Sequence, residues 1–335
     1  MTDAMKNLEE ILLKWLAVDS ISGNEMLFLE DLEAFFTEKG YRIERQHVTG
    51  HRYNLVATLN DSPRLFYSTH VDTVPPVLPV EKRGTRIYGR GACDTKGGLL
   101  AMIAAAEELR AAGHQDLGFL LVVGEEVDHC GAKMAAHLDL RPERIILCEP
   151  TENQVVSAQK GMLKFALEAR GKAGHSAYLD RGISAIDPLL DALENIRKAD
   201  LPEDELLGKT TVNIGRIQGG VAANVFAPHA RAELLIRAVS PVDDLLAQIK
   251  ALLPAEVSLL DAVFNDPVFF DPPEGIKTCT VPFNTDATYL LELGPVWLVG
   301  PGDIRVAHGE DEHIEIDEMK AGIELYRRLG EQVLS

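Results

Sequence analysis

Two uninterrupted apolar runs, LGFLLVV at 117–123 and RIILC at 144–148, constrain this chain most. Each has the length of a strand and neither alternates, so both faces of each strand must be covered. Strands covered on both faces belong inside a sheet flanked by helices. The neighbouring segments supply the rest: Leu8 to Leu16 and Glu25 to Lys39 repeat their apolar residues with the helical period, Asn54 to Leu59 and Arg64 to Ser68 read as strands, and Leu99 to Ala112 is an alanine-rich helical run. The N-terminal part therefore predicts an α/β sheet fold.

From about residue 161 the pattern changes. MLKFALEARG reads as a strand, ISAIDPLLDALENIRKA as a helix, KTTVNIGRIQ and FAPHARAELLIRAV as two strands, PVDDLLAQIKALLP as a helix and EVSLLDAVF as a closing strand. That order, βαββαβ, makes an α+β unit of its own. After it the first pattern resumes, with PVWLVGPG as a strand and DEMKAGIELYRRLGEQVL as a terminal helix. The expected division is a first domain in two parts, 1–160 and 269–335, with 161–268 inserted between them.

At 335 residues and 46% hydrophobic, the chain can bury full cores in both parts. A formal net charge of -19 argues against nonspecific binding to nucleic acid or to an anionic membrane, which need a basic surface. The four cysteines (Cys93, Cys130, Cys148, Cys279) form no CxxC pair and fit reduced thiols. The segment MTDAMKNLEEILLKWLAV has acidic residues and a helical period where a signal peptide would have a basic stretch and a continuous apolar run. No segment approaches the length of a membrane span. A cytoplasmic location is expected.

In a sheet of this kind ligands bind beyond the carboxyl ends of the strands. His70 and Asp72 follow one strand and, one residue apart in extended chain, share a face. Asp94 lies in the glycine-rich GRGACDTKGG before a helix, Glu125 and Glu126 follow the strand at 117–123, Glu149 follows the next, and His308 follows a late strand in GPGDIRVAHGEDEH. A phosphate loop is the rival reading of GRGACDTKGG, but Asp94 would repel a phosphate and the GxxxxGK[ST] spacing is absent. So many acidic and imidazole groups on one edge call for a cation. Mixed imidazole and carboxylate donors suit zinc, with manganese or cobalt as substitutes. His70, Asp94, Glu126, Glu149 and His308 are enough for two metals if Asp94 bridges them.

STHVDTVP, GRGACDTKGG, GEEVDHCGA, CEPT, GKAGHSAY and GPGDIRVAHGEDEHIEI, in that order, resemble the co-catalytic di-zinc aminoacylase and carboxypeptidase family, over almost the whole chain. The resemblance implies a mixed-sheet, aminopeptidase-like catalytic domain with an inserted lid and dimerisation domain, hence a homodimer. It implies that His70 and Glu149 hold one zinc, that Glu126 and His308 hold the other, and that Asp94 bridges both. Asp72 would orient His70. Glu125 would be the general base for a metal-bridging hydroxide. His175 in GKAGHSA would stabilise the oxyanion, Arg237 and Asn224 would hold the α-carboxylate of the substrate, and Lys160 and Thr285 are further candidates for substrate contact.

The chemistry implied is hydrolysis of the amide of an N-acyl amino acid. PPEGIKTCTVPFNTDATYL and VGPGDIRVAHGEDEHIEI read most like the acetylornithine deacetylase branch, which makes N-acetylornithine or N-acetylcitrulline the expected substrate. Succinyl-diaminopimelate desuccinylase and dipeptidase or carboxypeptidase activities are the alternatives within the family. A non-catalytic amino-acid or peptide binder is the alternative of another class, disfavoured because Glu125 and every ligand position are intact. Cys93 and Cys148, each beside a proposed ligand, read as packing residues.

Overall fold

Both apolar runs lie inside a six-stranded sheet in the computed structural model, which describes residues 3–335; Met1 and Thr2 of the N-terminal segment lie outside the described residues. Five of the strands are β1 Arg42–Thr49, β2 Arg52–Thr58, β3 Leu65–His70, β4 Leu117–Val122 and β5 Arg144–Leu147. Their order across the sheet is β1-β2-β4-β3-β5, and Val296–Leu298 pairs with the far side of β5. β3, β4, β5 and Val296–Leu298 run parallel, whereas β2 is antiparallel to both β1 and β4, so the sheet is mixed. Every residue of β3 and β4 is buried, as the unbroken apolar run of β4 requires.

The register fixes what meets at the sheet's edge. His70 pairs with Val122, and Ser68 pairs with Leu147, both in parallel. Residues 70–72, 124–126 and 149 therefore leave the sheet together. Helices Met26–Glu38, Gly97–Ala111 and Ile316–Leu334 contribute Phe28, Leu32, Phe36, Leu100 and Tyr326 to the core around Tyr67 and Phe119. The Tyr67 hydroxyl donates to the Tyr326 carbonyl at 2.8 Å and the Tyr326 hydroxyl donates to the Val299 carbonyl at 2.9 Å, so neither buried phenol is left unsatisfied.

Gly97 and Gly98 let the helix Gly97–Ala111 approach the end of β5. A Cβ at Gly98 would stand 2.1 Å from the Cys148 sulfur. The turn before that helix is pinned by Lys96, a buried residue whose Nζ donates to the carbonyls of Trp15 (3.0 Å) and Val18 (2.9 Å). These carbonyls lie in the last turn of the helix Asp3–Leu16 and just beyond it, where a cation meets the negative pole of the dipole.

The chain divides into two compact units: residues up to Ser157 with Phe270–Cys279 and Thr285–Ser335 form the first, and Ala158–Phe269 with Thr280–Asn284 form the second. The second unit holds β6 Gly161–Arg170, β7 Thr211–Gly219, β8 His229–Ala238 and β9 Val257–Asn265 in a four-stranded antiparallel sheet of order β7-β8-β6-β9. Along β8, Ala230, Ala232, Leu234, Ile236 and Ala238 are buried and the residues between them are not. This period of two puts one face of the sheet into a core with Leu189, Leu193 and Ile196 of helix Ile186–Lys198 and Leu245 and Ile249 of helix Val242–Ala251.

Candidate metal centre

His70 ends β3 and its Nδ1 lies 2.9 Å from the main-chain carbonyl oxygen of Asp72. A carbonyl can only accept, so Nδ1 carries the proton and the Nε2 lone pair of the neutral ring points outward. Nε2 lies 2.9 Å from Asp94 Oδ1 and 4.0 Å from Glu149 Oε1, with all three side chains buried. Lone pairs facing lone pairs in a buried site need a proton or a cation between them. Glu149 Oε1 is buried and has no hydrogen-bond partner.

The other Asp94 oxygen faces a second set. His308, with φ of 64°, brings its Nε2 to 3.3 Å from Asp94 Oδ2 and 3.0 Å from Glu126 Oε2. His70, Asp94 and Glu149 thus offer three donor atoms within 4.8 Å of one another, and Asp94, Glu126 and His308 do the same. Asp94 belongs to both groups. The orphaned Glu149 oxygen and these donor types fit two divalent cations, of which zinc is one choice.

Charge points the same way. Burial raises the Glu149 carboxyl well above its usual range, and raises Glu125 to about 8, with Asp286 and Glu126 adding to the effect. Burial alone would lower the His70 pKa, but the carboxylates of Asp72, Asp94 and Glu149 raise it well above the ordinary value. Hydrogen bonds to Asp94 and Glu126 lift His308 to about 10. The cluster is short of positive charge, which bound cations supply.

The Asp72 carboxylate has a further task beside its approach to His70. Its Oδ1 accepts from the N–H groups of Gly124 (2.9 Å) and Glu125 (3.1 Å), and its Oδ2 accepts from Glu126 N–H (3.3 Å) and from the Ser22 hydroxyl (2.7 Å). The carboxylate is 3.6 Å from His70 Nδ1, so the carbonyl orients the ring and the carboxylate holds the turn that carries Glu125 and Glu126.

Glu125 stands in a third group that sequence reading missed, with His129 and Asp286. His129 Nδ1 lies 2.9 Å from Asp286 Oδ1 and 3.6 Å from Glu125 Oε1. Asp286 is 1% exposed, so the pair is built into the protein. His129 comes four residues after Glu125 in GEEVDHCGA and Asp286 follows Thr285 in NTDA, but no pattern in the sequence pairs two segments 157 residues apart. Thr285 is buried and its hydroxyl accepts from Ala287 N–H at 3.2 Å, which shapes the turn presenting Asp286. Cys148 is fully buried and its thiol is pushed up to about 12, and Cys93 is likewise raised by burial, so both serve as packing groups.

The remaining candidates lie in the second unit. His175 is exposed and bridges Val225; its Nδ1 accepts from Ala177 N–H at 3.2 Å, which leaves Nε2 to donate. Asn224 is brought beside it, its carbonyl accepting from Ser176 N–H at 3.0 Å. Arg237 is on β8, opposite Thr211 and Met162, on the face away from that unit's helices. Lys160 is buried, and its ammonium donates to the Lys209 carbonyl.

Two donor sets sharing one carboxylate are the arrangement of a co-catalytic metal hydrolase. Residues 66–332 match the model of peptidase family M20/M25/M40, and the chain belongs to that family as a hydrolase of metallopeptidase type. It is 36% identical over 324 residues to a Peptidase M20 domain-containing protein of Schizosaccharomyces pombe, covering 93% of this chain and 81% of that one. It is 35% identical over 366 residues to a probable carboxypeptidase of Aspergillus flavus, covering 95% and 85%. A tripeptidase structure from Staphylococcus aureus superposes with a TM-score of 0.82 at 22% identity, over 98% of this chain and 99% of that one, and so shares the fold. Among the described residues no helix is long and apolar enough to cross a membrane.

Proposed function

We propose that the chain hydrolyses the amide bond joining an acyl or peptidyl group to an amino acid with a free α-carboxylate, with Glu125 as general base. The observation that carries this reading is the division of Asp94: Oδ1 faces the His70 set, Oδ2 faces the His308 set, and Glu125 is adjacent to Glu126 but outside both. Two bound divalent cations would polarise the scissile carbonyl and acidify the attacking water. Glu125 takes a proton from that water and returns it to the leaving amine. His129, braced by Asp286, limits where the Glu125 carboxylate can sit. Oxyanion stabilisation by His175 and carboxylate binding by Arg237 and Asn224, which the family resemblance implies, belong to the same proposal, as does a homodimer formed through the second unit.

Within this class, N-acetylornithine or N-acetylcitrulline is the substrate suggested by the segments around NTDA and HGEDEH. A carboxypeptidase reading is supported by the similarity to probable carboxypeptidases of Aspergillus species. Both readings require the α-carboxylate. The test is a panel of N-acetylornithine, N-acetylcitrulline, N-succinyl-diaminopimelate, a dipeptide and a tripeptide, each also offered as its α-carboxamide. Metal-dependent hydrolysis that fails on the carboxamides is expected. Turnover without metal, or equal turnover of the carboxamides, would overturn the proposal.

A further inference from the structure

Glu312 is 1% exposed and is not a member of either donor set. Its Oε1 accepts from the N–H groups of Gly91 (2.8 Å), Cys93 (3.2 Å) and Asp94 (3.2 Å). Its Oε2 accepts from Arg90 Nη1 at 2.6 Å, and the Arg90 side chain is itself 4% exposed. Arg90 also donates to the Pro76 carbonyl at 3.2 Å and approaches the His308 carbonyl at 3.5 Å. The main chain is tied at the same place, where Gly89 N–H donates to the Glu312 carbonyl at 3.1 Å and His313–Glu315 pairs with Arg86–Tyr88.

A buried carboxylate is costly unless it is fully paired, and this one also feels the negative charge of Asp94. Holding the C-terminal segment against its neighbour would need only the strand pairing already present. The Glu312 side chain does something more specific: one oxygen gathers the N–H groups of the turn that carries Asp94, as a nest gathers an anion. Asp94 must present one oxygen to each donor set, so a small rotation of this turn would close one set and open the other. The guanidinium beside Glu312 ties the same unit to the loop of His308.

We propose that Glu312, braced by Arg90, is a positioning residue for the bridging aspartate: it fixes the backbone of 91–94 so that Asp94 spans both donor sets, and thereby sets the affinity of the second cation and the coupling between the two. This rests on the two-cation reading above.

The test compares wild type, Glu312→Ala and Glu312→Gln as apoprotein titrated with Mn2+, following stoichiometry by calorimetry and exchange coupling by electron paramagnetic resonance, with the Tm of each apoprotein recorded. In Glu312→Ala the weaker Mn2+ site is expected to lose roughly 10- to 100-fold in affinity, as for other residues that support a ligand, and the coupled signal to fade. Glu312→Gln keeps an acceptor oxygen for the three N–H groups but sets an amide N–H2 against Arg90, so it should fall between the two. If Glu312→Ala does not fold, Glu312→Gln decides. A lower Tm with wild-type affinity and coupling in the folded variants would show a merely structural role and overturn the proposal. Fewer than two ions on wild type would instead remove the two-cation reading beneath it.

Discussion

The Nδ1–H of His70 donates to the main-chain carbonyl of Asp72, 2.9 Å away, and not to its carboxylate. The two-residue spacing thus does two jobs with one residue. The carbonyl fixes the tautomer that aims Nε2 at the metal positions, and the carboxylate is left to gather the N–H groups of Gly124, Glu125 and Glu126.

Asp72→Ala should therefore spare the metals and damage the base. The carbonyl remains, so His70 keeps its orientation, while the turn at 124–126 loses its acceptor. Metal content measured by elemental analysis is expected to stay near wild type, with kcat reduced roughly 10- to 100-fold. Loss of one ion in step with the fall in kcat would return the orienting role to the carboxylate.

Glu125→Gln removes the proton acceptor from a site whose ligands are unchanged. A fall in kcat of roughly 10²–10⁴ with full metal content is expected. Asp286→Asn acts at one remove, by weakening the hold of Asp286 on His129, and should cost less, on the order of tenfold, again without metal loss. Steady-state kinetics beside metal analysis checks both. An Asp286→Asn variant more impaired than Glu125→Gln would mean that Asp286 contacts substrate directly.

Lys96 provides a test of the fold apart from the chemistry. Its charged hydrogen bonds to Trp15 and Val18 stabilise the end of the first helix, yet burial of the ammonium lowers its pKa to about 7, so the two effects oppose each other. Lys96→Met removes the buried charge but strands two carbonyls. A net loss of about 1–3 kcal/mol is expected from urea unfolding of the apoprotein. Unchanged or increased stability would show that the desolvation cost had outweighed the hydrogen bonds.

What could be read in the sequence followed from burial. β4 and β5 announced themselves as apolar runs and β3 as a strand, and their polar termini announced the site. β1 did not: RIERQHVT lies at the sheet's edge with mostly exposed or half-buried residues and carries no apolar run. The small strands Glu81–Arg83 and Arg86–Tyr88 are too short for a period to show. Within the site, residues adjacent to strand ends were legible, whereas His129, Asp286 and Glu312 were not. Their roles come from pairings across 157 residues for His129 with Asp286 and 218 for Glu312 with Asp94, distances over which sequence pattern says nothing. The distinction between the carbonyl and carboxylate of Asp72 was also beyond reach, because both belong to one residue.

The most direct test of the two-cation site is a metal titration of the apoprotein, wild type beside Glu149→Ala, with bound metal and hydrolysis measured at each addition. Wild type is expected to bind two ions, with activity rising as the pair fills, and Glu149→Ala to hold one ion tightly, because the Asp94, Glu126 and His308 set is intact. Wild-type activity that saturates at a single bound ion would contradict a bridging Asp94, and Glu149→Ala that still holds two would remove Glu149 from the donor set.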